Sequence, residues 1–300
     1  MLLRSSGQQR LDNQRRVNFL LGVGCQKGGT SWLHSYLSAS REVNFGFRKE
    51  YHIFDALYID ECRRFYEDLL VRFRATSEAD PDSAEHKRNK ILLSFYLNPD
   101  RYFDYFKSIA GGDRSIRVVG DITPSYAGLP QEAFVLIRKH LLERHLQPRV
   151  IFLMRDPVER CWSAVRMGRR DMRTRGKPVK VPEQHQLLKY IQTTEARVRT
   201  RYDRTARNII KTFAEEEMLF EFYERLFVTD TARKICKFLD IKFVDPNFEL
   251  KVNESAKIEG VTEDTIRKVA LVFRNVYEWA FEKYGEECVR QLWPSARFIM

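Results

Sequence analysis

Long apolar runs are missing from this chain of 300 residues. No stretch comes near the roughly 18 uninterrupted apolar residues that a membrane-spanning helix needs. Residues 1–16 are polar and basic, and they lack the apolar run of ~7–15 residues that is typical of a secretory signal peptide. The sequence therefore predicts a protein without a membrane span, beginning with a flexible arm over residues 1–16.

Cysteines are few and scattered. The chain has five of them, and none stands in a CxxC pair. An odd number at wide spacing excludes a disulfide framework and a cysteine-ligated zinc site, and it is typical of free thiols in a reducing compartment. We therefore expect a cytoplasmic protein.

Internal repeats, low-complexity tracts and a clear linker between domains are absent as well. Hydrophobic residues make up 43% and charged residues 31% of the chain, as in ordinary globular enzymes. Short apolar runs alternate with segments of helical periodicity, which predicts a parallel β-sheet flanked by helices. We expect a single α/β domain over residues 17–300.

The predicted elements follow this alternation. Strands are predicted at residues 17–23, 43–47, 116–119, 150–154 and 218–223. Helices are predicted at residues 30–39, 58–74, 87–108, 130–145, 184–215, 230–239 and 262–283, with a further helix that begins at Pro157. The run VIFLM at 150–154 is apolar on both faces, which predicts a central strand. Residues 168–182 are predicted to form a basic loop.

Positive charge is concentrated in one part of the chain. The net charge is +11, and residues 166–211 contain 14 Lys and Arg against 4 Asp and Glu. Such a field predicts an anionic partner, although a solvated helix face gives the same pattern. We take the segment 166–211 as an insertion on the substrate side, with Arg166, Arg169 and Arg170 as candidate contacts.

A glycine-rich turn, GVGCQKGGTSWL at residues 22–33, follows the first predicted strand. Gly28 and Gly29 allow backbone N–H groups to approach an anion closely, and the following helix adds the positive end of its dipole. Thr30 and Ser31 can donate hydroxyl hydrogen bonds there. The turn therefore predicts a P-loop-type phosphate site at the start of the domain.

The position of Lys27 indicates that this phosphate site works without a metal. In the magnesium-dependent loop GxxxxGK[ST], the lysine stands directly before the metal-binding hydroxyl. Here Lys27 precedes Thr30 by three positions, and the strand VIFLM ends in Arg155 where an aspartate would hold magnesium. Protein cations alone are expected to neutralise the ligand.

A second anion site is predicted after the central strand, in the motif RDPVERCWS. Arg155 would present its guanidinium fork to a phosphate, and Ser163, two turns into the next helix, would add a hydroxyl. Ligands of open α/β sheets bind at this carboxyl edge. Two anion sites on neighbouring strands predict a ligand with two separate phosphate groups.

Together these motifs resemble the sulfotransferases that use 3′-phosphoadenosine 5′-phosphosulfate (PAPS) and release 3′-phosphoadenosine 5′-phosphate (PAP). In that family GxxKxGT[ST]xL holds the 5′-phosphosulfate, and an Arg and a Ser eight residues apart hold the 3′-phosphate. The corresponding stretches here are GCQKGGTSWL and RDPVERCWS. The resemblance implies a metal-independent enzyme whose donor-binding residues are Lys27, Gly28, Gly29, Thr30, Ser31, Trp32, Arg155 and Ser163, with Lys257 in a loop over the nucleotide.

The stretch KEYHIFD at residues 49–55 narrows the resemblance to heparan-sulfate 3-O-sulfotransferases, which carry E-x-H-x-F-D at this place. The resemblance implies that Glu50 is the general base and that His52 and Asp55 assist it, while Lys27 stabilises the leaving phosphate. In an extended segment Glu50, His52 and Phe54 would share one face, and Asp55 would reach the site only where the chain turns.

A third stretch, GDITPSY at residues 120–126, resembles the family pattern E-K-[ST]-P-x-Y, with Ile122 in place of the lysine. Lys49 or an arginine of residues 166–180 can take over the role of that lysine. Thr123 and Tyr126 are further candidate contacts to a hydroxyl-bearing acceptor, which the basic segment suggests is an anionic carbohydrate.

Two other functions are compatible with parts of the sequence. A P-loop kinase would need magnesium, and the displaced Lys27 argues against it. A nucleic-acid-binding protein would explain the basic segment but not the paired phosphate sites, and aromatic residues do not alternate with the basic ones. The sequence leaves the acceptor and the oligomeric state open.

Overall fold

Five strands form the sheet at the centre of the fold. They are β1 (Val17–Gly24), β2 (Val43–Asn44), β3 (Val118–Ile122), β4 (Leu146–Met154) and β5 (Met218–Phe222). All neighbours pair in parallel, in the order β2-β3-β1-β4-β5. This confirms the predicted parallel α/β sheet. It also confirms that VIFLM belongs to an interior strand, because β4 lies between β1 and β5.

The computed structural model describes residues 16–248 and 260–300. The N-terminal arm predicted over residues 1–16 and the candidate donor contact Lys257 therefore lie, apart from residue 16, outside the described residues. Within these ranges no helix combines the length and the apolar character that crossing a membrane requires.

Helices cover both faces of the sheet. In the first half of the chain they are α1 (Thr30–Ser38), α2 (Ile53–Tyr58), α3 (Arg64–Ala79), α4 (Ala84–Leu97), α5 (Asp100–Gly112) and α6 (Gln131–Glu143). In the second half they are α7 (Pro157–Thr174), α8 (Glu183–Tyr190), α9 (Thr194–Thr200), α10 (Tyr202–Ile210), α11 (Thr229–Phe238), α12 (Glu263–Val272), α13 (Arg274–Tyr284) and α14 (Glu286–Leu292).

Strand β1 is buried on both faces, because each face of the sheet carries its own apolar layer. Phe19 and Leu21 belong to the larger layer, which includes residues of α5, α6 and α13. Leu20 points into the second layer, which α1 and α11 cover. A parallel sheet covered by helices on both sides requires such continuous apolar strands.

Two predictions about the basic segment are wrong. The helix predicted over 184–215 is three helices, because the chain leaves helical geometry at Arg201 (ψ 67°) and a new helix begins where Thr193 caps α9. The loop predicted over 168–182 is helical as far as Thr174. Its arginines favour helix, and α7 stops only before Gly176, which has a φ of 68°.

Other boundaries also differ from the predictions. The helix predicted over 87–108 is two helices that meet near Pro99, and the one predicted over 262–283 is interrupted at Phe273. Strand β2 has only two residues, because the chain turns at Gly46 with a φ of 71°. These differences lie at helix and strand ends and leave the sheet unchanged.

Candidate active site

One cavity of about 680 Å³ opens at the carboxyl edge of the sheet, where β1, β3, β4 and β5 end. Among the predicted site residues, those that line it are Lys27, Gly29, Thr30, Ser31, Trp32, Lys49, Glu50, His52, Arg155, Ser163, Arg166 and Arg170. The structure thus brings the donor-side and the acceptor-side candidates into a single space.

The phosphate loop connects β1 to α1. Gly29, the residue before the helix, has a φ of 91°, and a Cβ atom there would meet a methyl carbon of Leu226. Only glycine fits this conformation and this close approach. Gly28 is buried, and its side-chain position would meet Cys25, so it packs beneath the loop and does not line the cavity.

Lys27 projects from the loop in a left-handed conformation (φ 69°). Its Nζ atom lies 3.8 Å from the sulfur of Met167, a weak acceptor. Burial, together with the neighbouring charges of Arg170, Arg155 and Arg166, lowers the pKa of Lys27 to about 8. An ammonium group in this position is short of negative charge, which an anionic ligand would supply.

Arg155 and Ser163 face the cavity from the end of β4 and from α7. The Arg155 guanidinium lies 4.4 Å from the ring centroid of Tyr223, donates to the Lys27 carbonyl at 3.1 Å, and pairs with Glu159 at 3.3 Å. These contacts hold the guanidinium in one orientation, near the start of the helix that carries Ser163. Glu159 does not line the cavity, so the arginine can still bind an anion there.

The start of α7 is anchored from beneath by Asp156. Its carboxylate accepts hydrogen bonds from the backbone of Val158 at 2.9 Å, from Tyr277 at 2.8 Å and from the backbone of Ser295 at 2.9 Å. The aspartate is buried, and burial raises its pKa. This cap fixes the helix that carries Ser163 relative to the strand that precedes Arg155.

Four side chains form a continuous row beside the phosphate loop. They are Lys49, Glu50, His52 and Asp55. Lys49 Nζ lies 2.9 Å from Ser31 Oγ and 2.6 Å from Glu50 Oε1. Glu50 Oε2 lies 3.2 Å from His52 Nε2, and His52 Nδ1 lies 2.7 Å from Asp55 Oδ2. The row therefore connects the phosphate loop to Glu50, His52 and Asp55.

The backbone turns at His52, whose φ is 58°, and α2 begins at the next residue. The turn brings Asp55 to the His52 ring, which an extended chain would not do. Phe54 lies in the core, so the predicted shared face of Glu50, His52 and Phe54 is wrong. Asp55 is fully buried and contacts two residues that line the cavity, His52 and Ser125.

Opposite charges set the protonation of this row. Burial by itself would lower the pKa of His52, but its hydrogen bonds with Asp55 and Glu50 raise the value to about 9. Burial would likewise raise the pKa of Glu50, but His52 and Lys49 lower it to about 2. At neutral pH the Glu50 carboxylate therefore lies against the His52 imidazolium, and Glu50 has the lone pairs that can accept a proton.

Three predicted acceptor contacts do not face the cavity. Thr123 and Tyr126 are fully buried and donate hydrogen bonds to Asp121 at 2.6 Å and 2.8 Å. Arg169 lies on another face of α7 and donates to the Val181 carbonyl at 2.6 Å. The structure therefore does not support acceptor contacts at these residues, because Thr123 and Tyr126 pack beneath the site, whereas Pro124 and Ser125 of the same stretch line the cavity.

Several lining residues were not among the candidates predicted from the sequence, although Gln26, Pro124 and Ser125 stand inside the motifs. They are Gln26, Arg64, Phe65, Pro124, Ser125, Met167, Arg199, Tyr223, Phe227 and Phe248. Tyr223 directly follows β5 at the carboxyl edge, which is a signal that could have identified it. Arg64 and Arg199 stand at the ends of helices far apart in sequence; Arg199 lies within the basic residues 166–211, and no motif marks Arg64.

Across residues 16–248 and 260–300, no three or more His, Cys, Asp or Glu side chains come together as a metal site would need.

Comparisons with known proteins agree with this geometry. A profile of the sulfotransferase family matches residues 20–245. A sulfotransferase from Alicyclobacillus acidocaldarius is similar in structure, with a TM-score of 0.59 and 18% identity over 89% of this chain and 95% of that chain. The sulfotransferase domain of the Synechococcus PCC 7002 olefin synthase gives a TM-score of 0.45 and 16% identity over 87% of this chain and 96% of that chain. No curated protein matches the sequence.

At 18% identity the Alicyclobacillus structure shows the fold, whereas the family profile shows which family the chain belongs to. The narrower likeness to heparan-sulfate enzymes stays a prediction. The profile spans more than half of the chain and includes the phosphate loop, the row from Lys49 to Asp55, and the pair of Arg155 and Ser163. This chain therefore belongs to the sulfotransferase family.

Proposed function

We propose that this enzyme transfers the sulfuryl group of PAPS to an acceptor hydroxyl and releases PAP. The observation that carries the proposal is that Lys27 of the loop, the pair of Arg155 and Ser163, and the Glu50 carboxylate line one cavity. The loop with Lys27 would bind the 5′-phosphosulfate, and Arg155 with Ser163 would bind the 3′-phosphate. Glu50 would then lie on the acceptor side of the sulfur.

The surroundings of Arg166 favour a ligand with several negative charges, such as PAPS. It is 6% exposed, lines the cavity, and lies with its guanidinium 4.7 Å from the Trp162 ring centroid. Its Nε and Nη1 atoms have no hydrogen-bond partner among the described residues. Buried cationic donors without partners are costly, and a phosphate group in the cavity would offset that cost.

In the proposed step the acceptor oxygen forms a bond to sulfur while the bond from sulfur to the bridging oxygen of PAPS breaks. The electron pair stays on the bridging oxygen, which becomes a phosphate oxygen of PAP. Lys27 and the backbone N–H groups of the loop stabilise the charge that develops there. The proton of the acceptor hydroxyl passes to Glu50.

The row from Lys49 to Asp55 holds the Glu50 carboxylate in place and keeps it ionised. Lys49 and His52 each bind one carboxylate oxygen of Glu50, and each oxygen keeps a second lone pair for the acceptor proton. Asp55 holds His52 in its protonated form, so that the imidazolium orients the carboxylate and does not compete as a base.

Arg155→Gln is expected to weaken PAP binding by about tenfold to a hundredfold, since it removes charged hydrogen bonds to one phosphate. Calorimetric titration with PAP and with adenosine 5′-monophosphate, which lacks the 3′-phosphate, tests the proposed donor. The wild-type enzyme should prefer PAP, and Arg155→Gln should lose most of that preference. Arg274→Gln, an exposed position on α13, is the matched control. Equal affinity of the wild-type enzyme for both nucleotides would contradict the donor.

The affinity for PAP is expected to fall as the pH rises through about 8. Lys27 binds the anion only while it is protonated, and its pKa is about 8, so the attraction is present below this pH and is lost above it. Dissociation constants measured by calorimetry between about pH 6.5 and 9.5 check this. Lys27→Met should flatten the curve over that range. An unchanged slope in this variant would show that another group titrates.

A further inference from the structure

We propose that the acceptor is itself an anion, and that Arg64 and Arg199 bind its carboxylate or sulfate group. The inference rests on the proposed function, because it describes the acceptor end of the same cavity. Neither arginine belongs to a motif that points to the donor. Both line the cavity together with Phe65 and Ser125, on the side where Glu50 and His52 lie.

Arg199 has the same arrangement as the arginine proposed to hold the 3′-phosphate. Arg199 pairs with Glu195, one helical turn earlier, at 3.0 Å, and Arg155 pairs with Glu159, one turn later, at 3.3 Å. Neither glutamate lines the cavity, whereas both arginines do. Each carboxylate thus fixes a guanidinium from outside and leaves the cavity in front of it to a ligand.

Arg64 brings a second guanidinium to the same place. It lies 3.7 Å from the same oxygen of Glu195 that binds Arg199. One carboxylate therefore serves two guanidinium groups, and a positive charge remains between them. The Arg199 side chain is only 4% exposed and that of Arg64 is 56% exposed, so water screens the charge of Arg199 more weakly than that of Arg64. An anionic group of the acceptor would neutralise the positive charge that remains between Arg64 and Arg199.

The separation between the Arg64 guanidinium and the His52 imidazole suits an acceptor about the size of one ring. The Phe65 ring stacks on the His52 ring with centroids 3.6 Å apart, and the Arg64 guanidinium lies 5.4 Å from the Phe65 centroid. One aromatic ring thus separates Arg64 from the imidazole that orients Glu50. A hydroxyl at Glu50 and an anion at Arg64 would lie on opposite sides of a sugar or an aryl ring.

The charges along the cavity wall favour such an acceptor over a neutral one. Among the described lining residues seven are Lys or Arg, and Glu50 is the carboxylate. The donor groups would occupy the positive charges at Lys27, Arg155 and Arg166. A neutral alcohol would leave the buried guanidinium group of Arg199 without a new partner, which selects against it.

The test compares acceptors that differ only in charge. Methyl glucuronide and 4-hydroxybenzoate are each assayed beside their methyl esters, with sulfur-labelled PAPS and the full chain. The variants are Arg64→Gln and Arg199→Lys, with Arg63→Gln as the control. Arg199→Lys keeps the positive charge at a buried position but loses the planar guanidinium group. Arg63 is exposed, pairs with Asp60 at 3.7 Å, and does not line the cavity. PAP binding is measured on every variant by calorimetry.

We expect the wild-type enzyme to use the acids at least about tenfold better in kcat/KM than the esters. Arg64→Gln and Arg199→Lys should each raise KM for the acids by about tenfold, with kcat on the esters and PAP affinity unchanged. Arg63→Gln should behave as wild type. Esters used as well as acids, or equal losses on both, would overturn the anion site while sulfuryl transfer stands. Absent PAP binding, or PAP binding without transfer to either set, would overturn the proposed function and the anion site together.

Discussion

Replacing Lys27 by methionine is expected to lower kcat by about a hundredfold or more. In the proposed function the ammonium group stabilises the charge that the bridging oxygen of the donor gains, and methionine has no charge to offer. Methionine keeps much of the length of the side chain, and it meets the same left-handed backbone (φ 69°) that lysine already adopts. The fold should therefore be retained, and single-turnover rates with labelled PAPS measure the loss.

The control for Lys27 is Lys139→Met on α6. Lys139 is 69% exposed and pairs with Glu143, outside the cavity, so its replacement should leave kcat unchanged. PAP affinity of Lys27→Met should fall less than kcat, because Arg155, Ser163 and the loop N–H groups still bind the nucleotide. Full turnover by Lys27→Met would show that another group carries the charge of the leaving phosphate.

Replacing Glu50 by glutamine is expected to lower kcat by about a hundredfold to ten-thousandfold, because the acceptor proton then has no carboxylate to receive it. His52 does not take over at neutral pH in the wild-type enzyme, since its two carboxylate neighbours hold its pKa at about 9. Glutamine has the same size and still reaches Lys49 and His52. PAP affinity should stay within about twofold of wild type, because the proposed 3′-phosphate site at Arg155 and Ser163 does not include Glu50.

Glu67→Gln provides the matched control, because Glu67 lies on α3 and does not line the cavity. It should keep wild-type kcat. The rate of the Glu50 variant should also rise more steeply with the acidity of the acceptor hydroxyl than the wild-type rate does, because proton removal is no longer assisted. Normal turnover by Glu50→Gln would mean that a different residue, or the acceptor itself, handles the proton.

The parts of the site that follow strand ends can be predicted from the sequence. The loop after β1 and the motif after β4 are contiguous in sequence, and their spacing reflects the backbone geometry that an anion needs. In a parallel sheet these ends meet at one edge, so the order of the elements alone is enough to expect that Lys27 and Arg155 share a cavity.

Residues contributed by packing cannot be predicted in the same way. Arg64 and Arg199 reach the cavity from α3 and α9, and their meeting depends on tertiary contacts that no local pattern encodes. Thr123 and Tyr126 match a family pattern, yet both are buried and bind Asp121. A pattern of residue types does not state which side of a turn faces the ligand.

Helix boundaries in the basic segment differ from the predictions for a related reason. Periodicity over 184–215 does not reveal the break at Arg201, because helical segments with buried residues lie on both sides of it. The continuation of α7 to Thr174 contradicts the predicted loop, because a high density of charge does not by itself indicate a loop. Arginine is a good helix former, and α7 uses it both towards the cavity and on a buried side.

The most direct test of the proposed function is transfer of label from sulfur-labelled PAPS to a hydroxyl acceptor, with and without EDTA, beside a parallel reaction with γ-labelled ATP and magnesium. We predict that labelled sulfate appears on the acceptor at the same rate with the chelator, and that ATP donates nothing. Transfer from ATP, or a strict need for magnesium with PAPS, would contradict a site in which Lys27, Arg155 and their neighbours neutralise the donor.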